Sequence, residues 1–283
     1  MTVTQFKKKP LNESLDVLSS RIIENFVTLK ATVDLCLKMK IAGLRIGSDL
    51  IPVINHPDLN IDFYKLPKHD EIMNAINIAK IAMHNSNLRF SSHPSEYISL
   101  TSDNPAVIAN SIRDLEAHAF LFELLELPET YEAPLNIHIR KDGDPMSISK
   151  TVLSNFNKCS RRVQKRLVLE NNDNRNGTWG IKNLVHYYHT QIGIPITFDN
   201  LHHKMLSQDL TEKQAFEAAY ATWPSYTIPV FHYSEGINET RKHADYAASL
   251  PPDYGLPVVW EVELKAKDLA IKKMLTSARK QVI

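Results

Sequence analysis

Seven short apolar runs punctuate the chain, each separated from the next by a stretch with helical spacing, and this alternation restricts the fold more than any other feature. The runs are "AGLRIGS" (42–48), "LRFSSH" (88–93), "LNIHI" (135–139), "RLVLEN" (166–171), "PITFD" (195–199), "TIPVFHYS" (227–234) and "PVVWEVEL" (257–264). Between them lie amphipathic segments such as "DEIMNAINIAKIAMHNS", "PAVIANSIRDLEAHAFLFELL" and "TEKQAFEAAYATW", and the chain closes with a helical "AKDLAIKKML". The second of these opens with Asp103 or Asn104 as a cap and Pro105 in the first turn, a strong helix start. Strands that alternate with helices pair in parallel through right-handed crossovers. A doubly wound sheet satisfies that rule. The length of 283 residues and the even spacing favour an α/β fold of the TIM (β/α)8-type barrel, one domain over 1–283. The first strand is weakly defined, and "TVTQF" at 2–6 is assigned to it.

Composition narrows the class without naming it. A hydrophobic content of 43% with 23% charged residues suits a globular protein with a sizeable core. There is no apolar run of the roughly 18 residues a membrane helix needs, and "MTVTQFKKKPLNESL" has no stretch resembling a signal peptide. Cys36 and Cys159 are too few for a disulfide framework and lack metal-type spacing, so a reduced, cytoplasmic location is expected. A net charge of +1 neither demands nor excludes nucleic acid.

In a barrel the active site forms at the C-terminal ends of the strands. His93 ends "LRFSSH", His138 sits in "LNIHI", Glu170 in "RLVLE", Asp199 ends "ITFD", His232 sits in "VFHYS" and Glu263 in "WEVEL". His56 follows the first of the runs, and His202 lies just beyond Asp199. Any one of these is ordinarily a cap or a satisfied buried polar group. His69, His84, His118, His186, His189 and His203 are read that way, because no strand end turns them inward. Taken together, the strand-end set resists the bland reading. Carboxylates and imidazoles buried in one mouth each cost several kcal/mol if unpaired, and divalent cations compensate them economically.

The chain resembles the UV damage endonucleases. "LRIGSDLIPVINHP", "SSHPSEY", "LNIHI", "LVLENND", "FDNLHH", "VFHYSEG", "KHADY" and "VELKAKD" follow one another in that family's order, over roughly residues 20 to 270. The resemblance implies a TIM barrel related to endonuclease IV that binds up to three divalent metals, commonly manganese. It implies nicking of duplex DNA immediately 5′ to UV photoproducts, and extends to abasic sites as a further substrate. By motif, the metal ligands are His56, His93, His138, Glu170, Asp199, His202, His232, His243 and Glu263, with Glu170 and Glu263 as bridging carboxylates.

Mixed histidine and carboxylate ligands suit Mn²⁺, with Zn²⁺ or Mg²⁺ as alternatives, and the lack of cysteine ligands argues against a structural zinc site. Clustered metals supply what phosphodiester hydrolysis needs: an activated water, in-line attack and charge neutralisation. Glu170 and Glu263 are expected to hold the attacking water, and His232 or His243 the metal facing the leaving 3′-oxygen. For damaged duplex DNA, Lys265 and Lys267 adjoin a ligand and are expected to meet phosphates. Glu96 and Tyr97 match the family's probing position, where Tyr97 suits stacking on an exposed base.

Three departures from the family pattern stand out. Glu96-Tyr97 replaces Gln-Tyr. Val230 occupies the place where some members carry a modified lysine, and the N-terminal Gly-Tyr strand is missing before "ENF". Two alternatives remain beside the nuclease: a metal-dependent sugar isomerase on the same barrel, and a non-catalytic binder of damaged DNA. A monomer is expected, since a duplex must lie across the open mouth.

Overall fold

The computed structural model describes residues 1–280. Every expected run from Gly43 onward contains a strand: β1 (Gly43–Arg45), β2 (Arg89–Ser91), β3 (Leu135–His138), β4 (Leu167–Glu170), β5 (Ile196–Thr197), β6 (Val230–Tyr233) and β7 (Val259–Val262). Pairing is parallel throughout, in register β1–β2, β3–β4–β5 and β6–β7. Single parallel bridges, Ser92 with Leu135 and Asp199 with His232, join these pieces into a continuous wall. The fold is a TIM-type barrel.

The expectation for "TVTQF" is overturned. Val3–Phe6 is a short helix, because Thr2 and Gln5 form a reciprocal capping box that satisfies the first backbone donors. The Phe6 carbonyl then accepts from the Ser14 hydroxyl at 2.6 Å, which folds this turn back onto the helix Leu11–Met39. Among the described residues no backbone pairing joins β7 to β1. The wall closes there through side chains, Arg45 of β1 reaching Glu261 at 2.5 Å and Glu263 at 2.5 Å. Close approach requires Gly43, since a Cβ there would stand 2.9 Å from Val259 Cγ1. Both seam strands are half-buried, whereas β4 and β6 are buried throughout.

Helices begin where their caps demand. Asn104 accepts from the Ala106 amide ahead of Pro105–Leu124, Asp144 from Ser147 ahead of Pro145–Phe156, and Thr211 pairs with Gln214 ahead of Glu212–Tyr220. Strand alternation then divides inward from outward residues. Phe198 of the β5 edge, Phe231 of β6 and Trp260 of β7 turn outward onto Phe216 of the Glu212–Tyr220 helix, with ring centroids 5.9, 5.2 and 6.0 Å away. Their neighbours Asp199, His232 and Glu261 therefore turn inward, so the apolar contact that seats the helix also aims the polar residues at one mouth.

Candidate metal centre

Three overlapping groups of ligand-type side chains meet at that mouth: His93–Glu170–His232, His138–Glu170–His202 and Asp199–His232–Glu263, with the ligand atoms of each within 4.8 Å of one another. Glu170 is the hub. Its carboxylate is 1% exposed and lies 3.2 Å from His93 Nε2, 3.7 Å from His138 Nε2, 3.2 Å from His202 Nδ1 and 2.9 Å from His232 Nδ1. Asn136 also donates to it from the neighbouring strand.

The second ring nitrogen of several histidines is already committed. His93 Nδ1 donates to the Pro94 carbonyl (3.0 Å), His138 Nδ1 to Asn172 Oδ1 (3.1 Å) and His243 Nδ1 to the Glu263 carbonyl (2.7 Å). A carbonyl oxygen only accepts, so Nδ1 carries the proton and Nε2 keeps its lone pair. In His93 and His138 that lone pair faces Glu170. Outer partners that fix a histidine tautomer in this way are typical of metal ligands.

Burial opposes ionisation of the Glu170 carboxyl, yet the charge of His232 and the hydrogen bond from His202 outweigh it and hold it well below the usual range. Glu263 is similarly opposed by burial and brought down to about 2 by His232 and Arg45. His202 resists charging through burial, but Asp199 and Glu170 push it up to about 10. Burial drives His138 the other way, to about 3, leaving it neutral. Asp199 is raised by burial, with the charges of Glu170 and Glu263 adding to the effect. Asp199 Oδ2 is buried in the mouth with no hydrogen bond, and His232 Nδ1 is buried 2.9 Å from Glu170 without a hydrogen bond to it. Orphaned buried polar atoms are costly; Asp199 Oδ2 offers its lone pair to the cluster, and His232 Nδ1 does so once its proton is displaced. This donor set fits a divalent cation.

Of the nine residues expected as ligands, seven belong to these groups. His243 stands at the rim, its Nε2 3.9 Å from Glu263. His56 belongs to none of the groups; its Nδ1 accepts from the Asp58 amide, and it lines an adjoining cleft of about 400 Å³ with Tyr97 and Asn110. Tyr97 is 85% exposed, so its ring is free of the core. Glu96 is exposed 4.0 Å from Arg140, and Lys265 and Lys267 are exposed beyond Glu263. His203, read as a satisfied buried polar group, packs against Phe198 with the rings tilted and their centroids 5.7 Å apart.

Two residues of the mouth escape the sequence reading. Arg45 and Glu261 face inward beside Glu263, and a signal for Glu261 exists: it lies two residues before Glu263, hence on the same face of β7.

Residues 1–282 match the family described as UV-endonuclease UvdE. The UV DNA damage endonuclease of Nostoc sp. is 28% identical over 96% of this chain and 83% of its own length. The crystal structure of SacUVDE superposes with a TM-score of 0.81 at 24% identity, covering 97% of this chain and 91% of that one. An Escherichia coli 3-keto-D-glucoside 4-epimerase, YcjR, shares the barrel alone, with a TM-score of 0.57 at 13% identity over 89% of this chain and 94% of that one. The inward-facing cluster thus sits in a chain that belongs to the UvdE family of UV endonucleases.

Proposed function

We propose that this protein is a metal-dependent DNA repair endonuclease that nicks duplex DNA 5′ to UV photoproducts, acting as a monomer with its 283 residues as one domain. One observation carries the metal dependence: Asp199 Oδ2 is buried, unpartnered and aimed into a shell of carboxylates and imidazoles. His93, His138, Glu170, Asp199, His202, His232 and Glu263 would hold the cations, with His243 completing the rim and His56 approaching from its loop. The oxygen-and-imidazole donors favour Mn²⁺, with Zn²⁺ or Mg²⁺ as alternatives. Bound there, divalent cations supply an activated water and neutralise the phosphate charge.

The chain's own residues do the rest. Glu170 and Glu263, ionised and both facing His232 Nδ1, orient the water and receive its proton. Exposed Lys265 and Lys267 meet the backbone phosphates. Tyr97, projecting beside His56, stacks where the duplex opens at a lesion, while Glu96 adds a charge that limits tolerance of intact phosphates. Abasic sites, which also open the stack, are a second substrate.

The test is nicking of a labelled, UV-irradiated duplex with Mn²⁺ present or chelated, and an undamaged duplex alongside. Metal-dependent cutting 5′ to the lesion, lost in Glu263→Gln, is the expected result. Retention of damaged duplex without cutting contradicts the enzyme reading and favours a binder. Aldose–ketose conversion without cutting favours the sugar isomerase.

A further inference from the structure

Glu261 lies in none of the three ligand groups, yet it is built into the mouth as deliberately as any residue there. It faces His232 directly across the β6–β7 register, and its side chain is only 10% exposed. Ser91 Oγ donates to one carboxylate oxygen, and Arg45 Nε donates to the other at 2.5 Å. That second oxygen is 3.3 Å from His232 Nε2.

The two nitrogens of His232 thus see different surroundings. Nδ1 makes no hydrogen bond and looks toward Glu170 and Glu263, at 2.9 and 3.6 Å. Nε2 is approached by Glu261 at 3.3 Å and by Arg45 Nη2 at 3.0 Å. A neutral imidazole offers one lone pair, and its other nitrogen then carries a proton. If Nδ1 gives its lone pair to a cation, Nε2–H must find an acceptor. Arg45 has only donors, so its Nη2 at 3.0 Å serves Nε2 only while that nitrogen holds a lone pair; once Nδ1 gives its lone pair to a cation, Nε2 carries the proton and Glu261 at 3.3 Å is the acceptor beside it.

We propose that Glu261 is the positioning residue for His232. It receives the Nε2 proton, fixes the tautomer that turns the Nδ1 lone pair to the centre, and is itself locked by Ser91 and Arg45. The arrangement is a carboxylate–histidine–cation relay, in which the outer carboxylate also raises the basicity of the ligand. Arg45 offsets the added negative charge, so the relay does not load the centre with a further unpaired anion. This inference rests on the reading of His232 as a metal ligand.

The experiment is a Mn²⁺ titration of the full chain followed by electron paramagnetic resonance of the free ion, which gives both affinity and the number of ions bound. Glu261→Gln loses the charge but keeps one acceptor oxygen for Arg45, and the Ser91 hydroxyl can turn to accept from the new amide. It is expected to bind the same number of ions about tenfold more weakly, with an unchanged melting temperature in chelator. A second variant, Glu261→Met, removes the acceptor altogether while Arg45 keeps Glu263 as its partner at 2.5 Å, and the same or greater loss of affinity is expected. Wild-type affinity in both variants overturns the relay. A loss of one bound ion per chain in Glu261→Gln also overturns it, since Glu261 would then be a ligand itself. If the unaltered protein binds no Mn²⁺, it is the metal-centre reading that fails, a distinct outcome.

Discussion

Replacing Asp199 by asparagine separates the two tasks of one side chain. Asp199 Oδ1 caps the helix Asn200–Met205 by accepting from the His202 amide at 2.7 Å, while Oδ2 is buried with no partner. Asparagine caps as well as aspartate, whereas alanine at such a position costs about 1 kcal/mol. Burial and the charges of Glu170 and Glu263 raise the Asp199 carboxyl above its ordinary range. Ionised Asp199 therefore opposes folding at neutral pH when no cation is present. In chelator, Asp199→Asn should melt at or slightly above the parent temperature, and Asp199→Ala about 2–4 °C below it. With Mn²⁺ at about 100 times the parent dissociation constant, the parent gains about 2.7 kcal/mol, or about 5–10 °C. A ligand loss that weakens binding about 100-fold leaves Asp199→Asn only about 0.4 kcal/mol of that gain, about 1 °C. Melting curves with and without Mn²⁺ read both numbers. If Mn²⁺ raises the melting temperature of Asp199→Asn as much as that of the parent, Oδ2 is not a ligand and the reasoning fails.

Three further outcomes follow from the same geometry. His202, held protonated by Asp199 and Glu170 with its pKa pushed up to about 10, must lose that proton to bind a cation; Mn²⁺ affinity should rise with pH between 6 and 9, approaching about tenfold per unit for one displaced proton, and a flat profile contradicts this. Tyr97→Ala, at a site 85% exposed, should leave the melting temperature unchanged but weaken binding of damaged duplex by about 1–3 kcal/mol in a fluorescence titration. Lys265→Gln with Lys267→Gln should lower the slope of log affinity against log salt by about 1.8 if both meet phosphates; an unchanged slope assigns them to solvent.

Much of this architecture was legible because it depends on local pattern. The alternation of apolar runs and amphipathic segments gave seven strands in the right places, and caps such as Asn104 with Pro105 marked where helices begin. The strand-end residues converge because period-2 alternation, with Phe198, Phe231 and Trp260 seated outward, leaves their neighbours no other direction. The N-terminal turn was misread for a physical reason. "TVTQF" has the composition of a strand, but Thr2 and Gln5 carry a capping box, and helix initiation overrode β propensity. Arg45 and Glu261 were missed because their meaning is relational. An arginine and a glutamate on distant strands read as surface charges until the β7–β1 seam brings them together at 2.5 Å. His56 lies in a loop, where no periodicity governs direction, and it joins none of the three ligand groups.

The account turns on whether the inward-facing cluster holds metal, and anomalous scattering from crystals grown with Mn²⁺ addresses that directly. The expected map has peaks about 2 Å from Glu170, Asp199 Oδ2 and His232 Nδ1, with Glu261 outside coordination distance. Peaks only at surface carboxylates, or a mouth filled by ordered water alone, would contradict it.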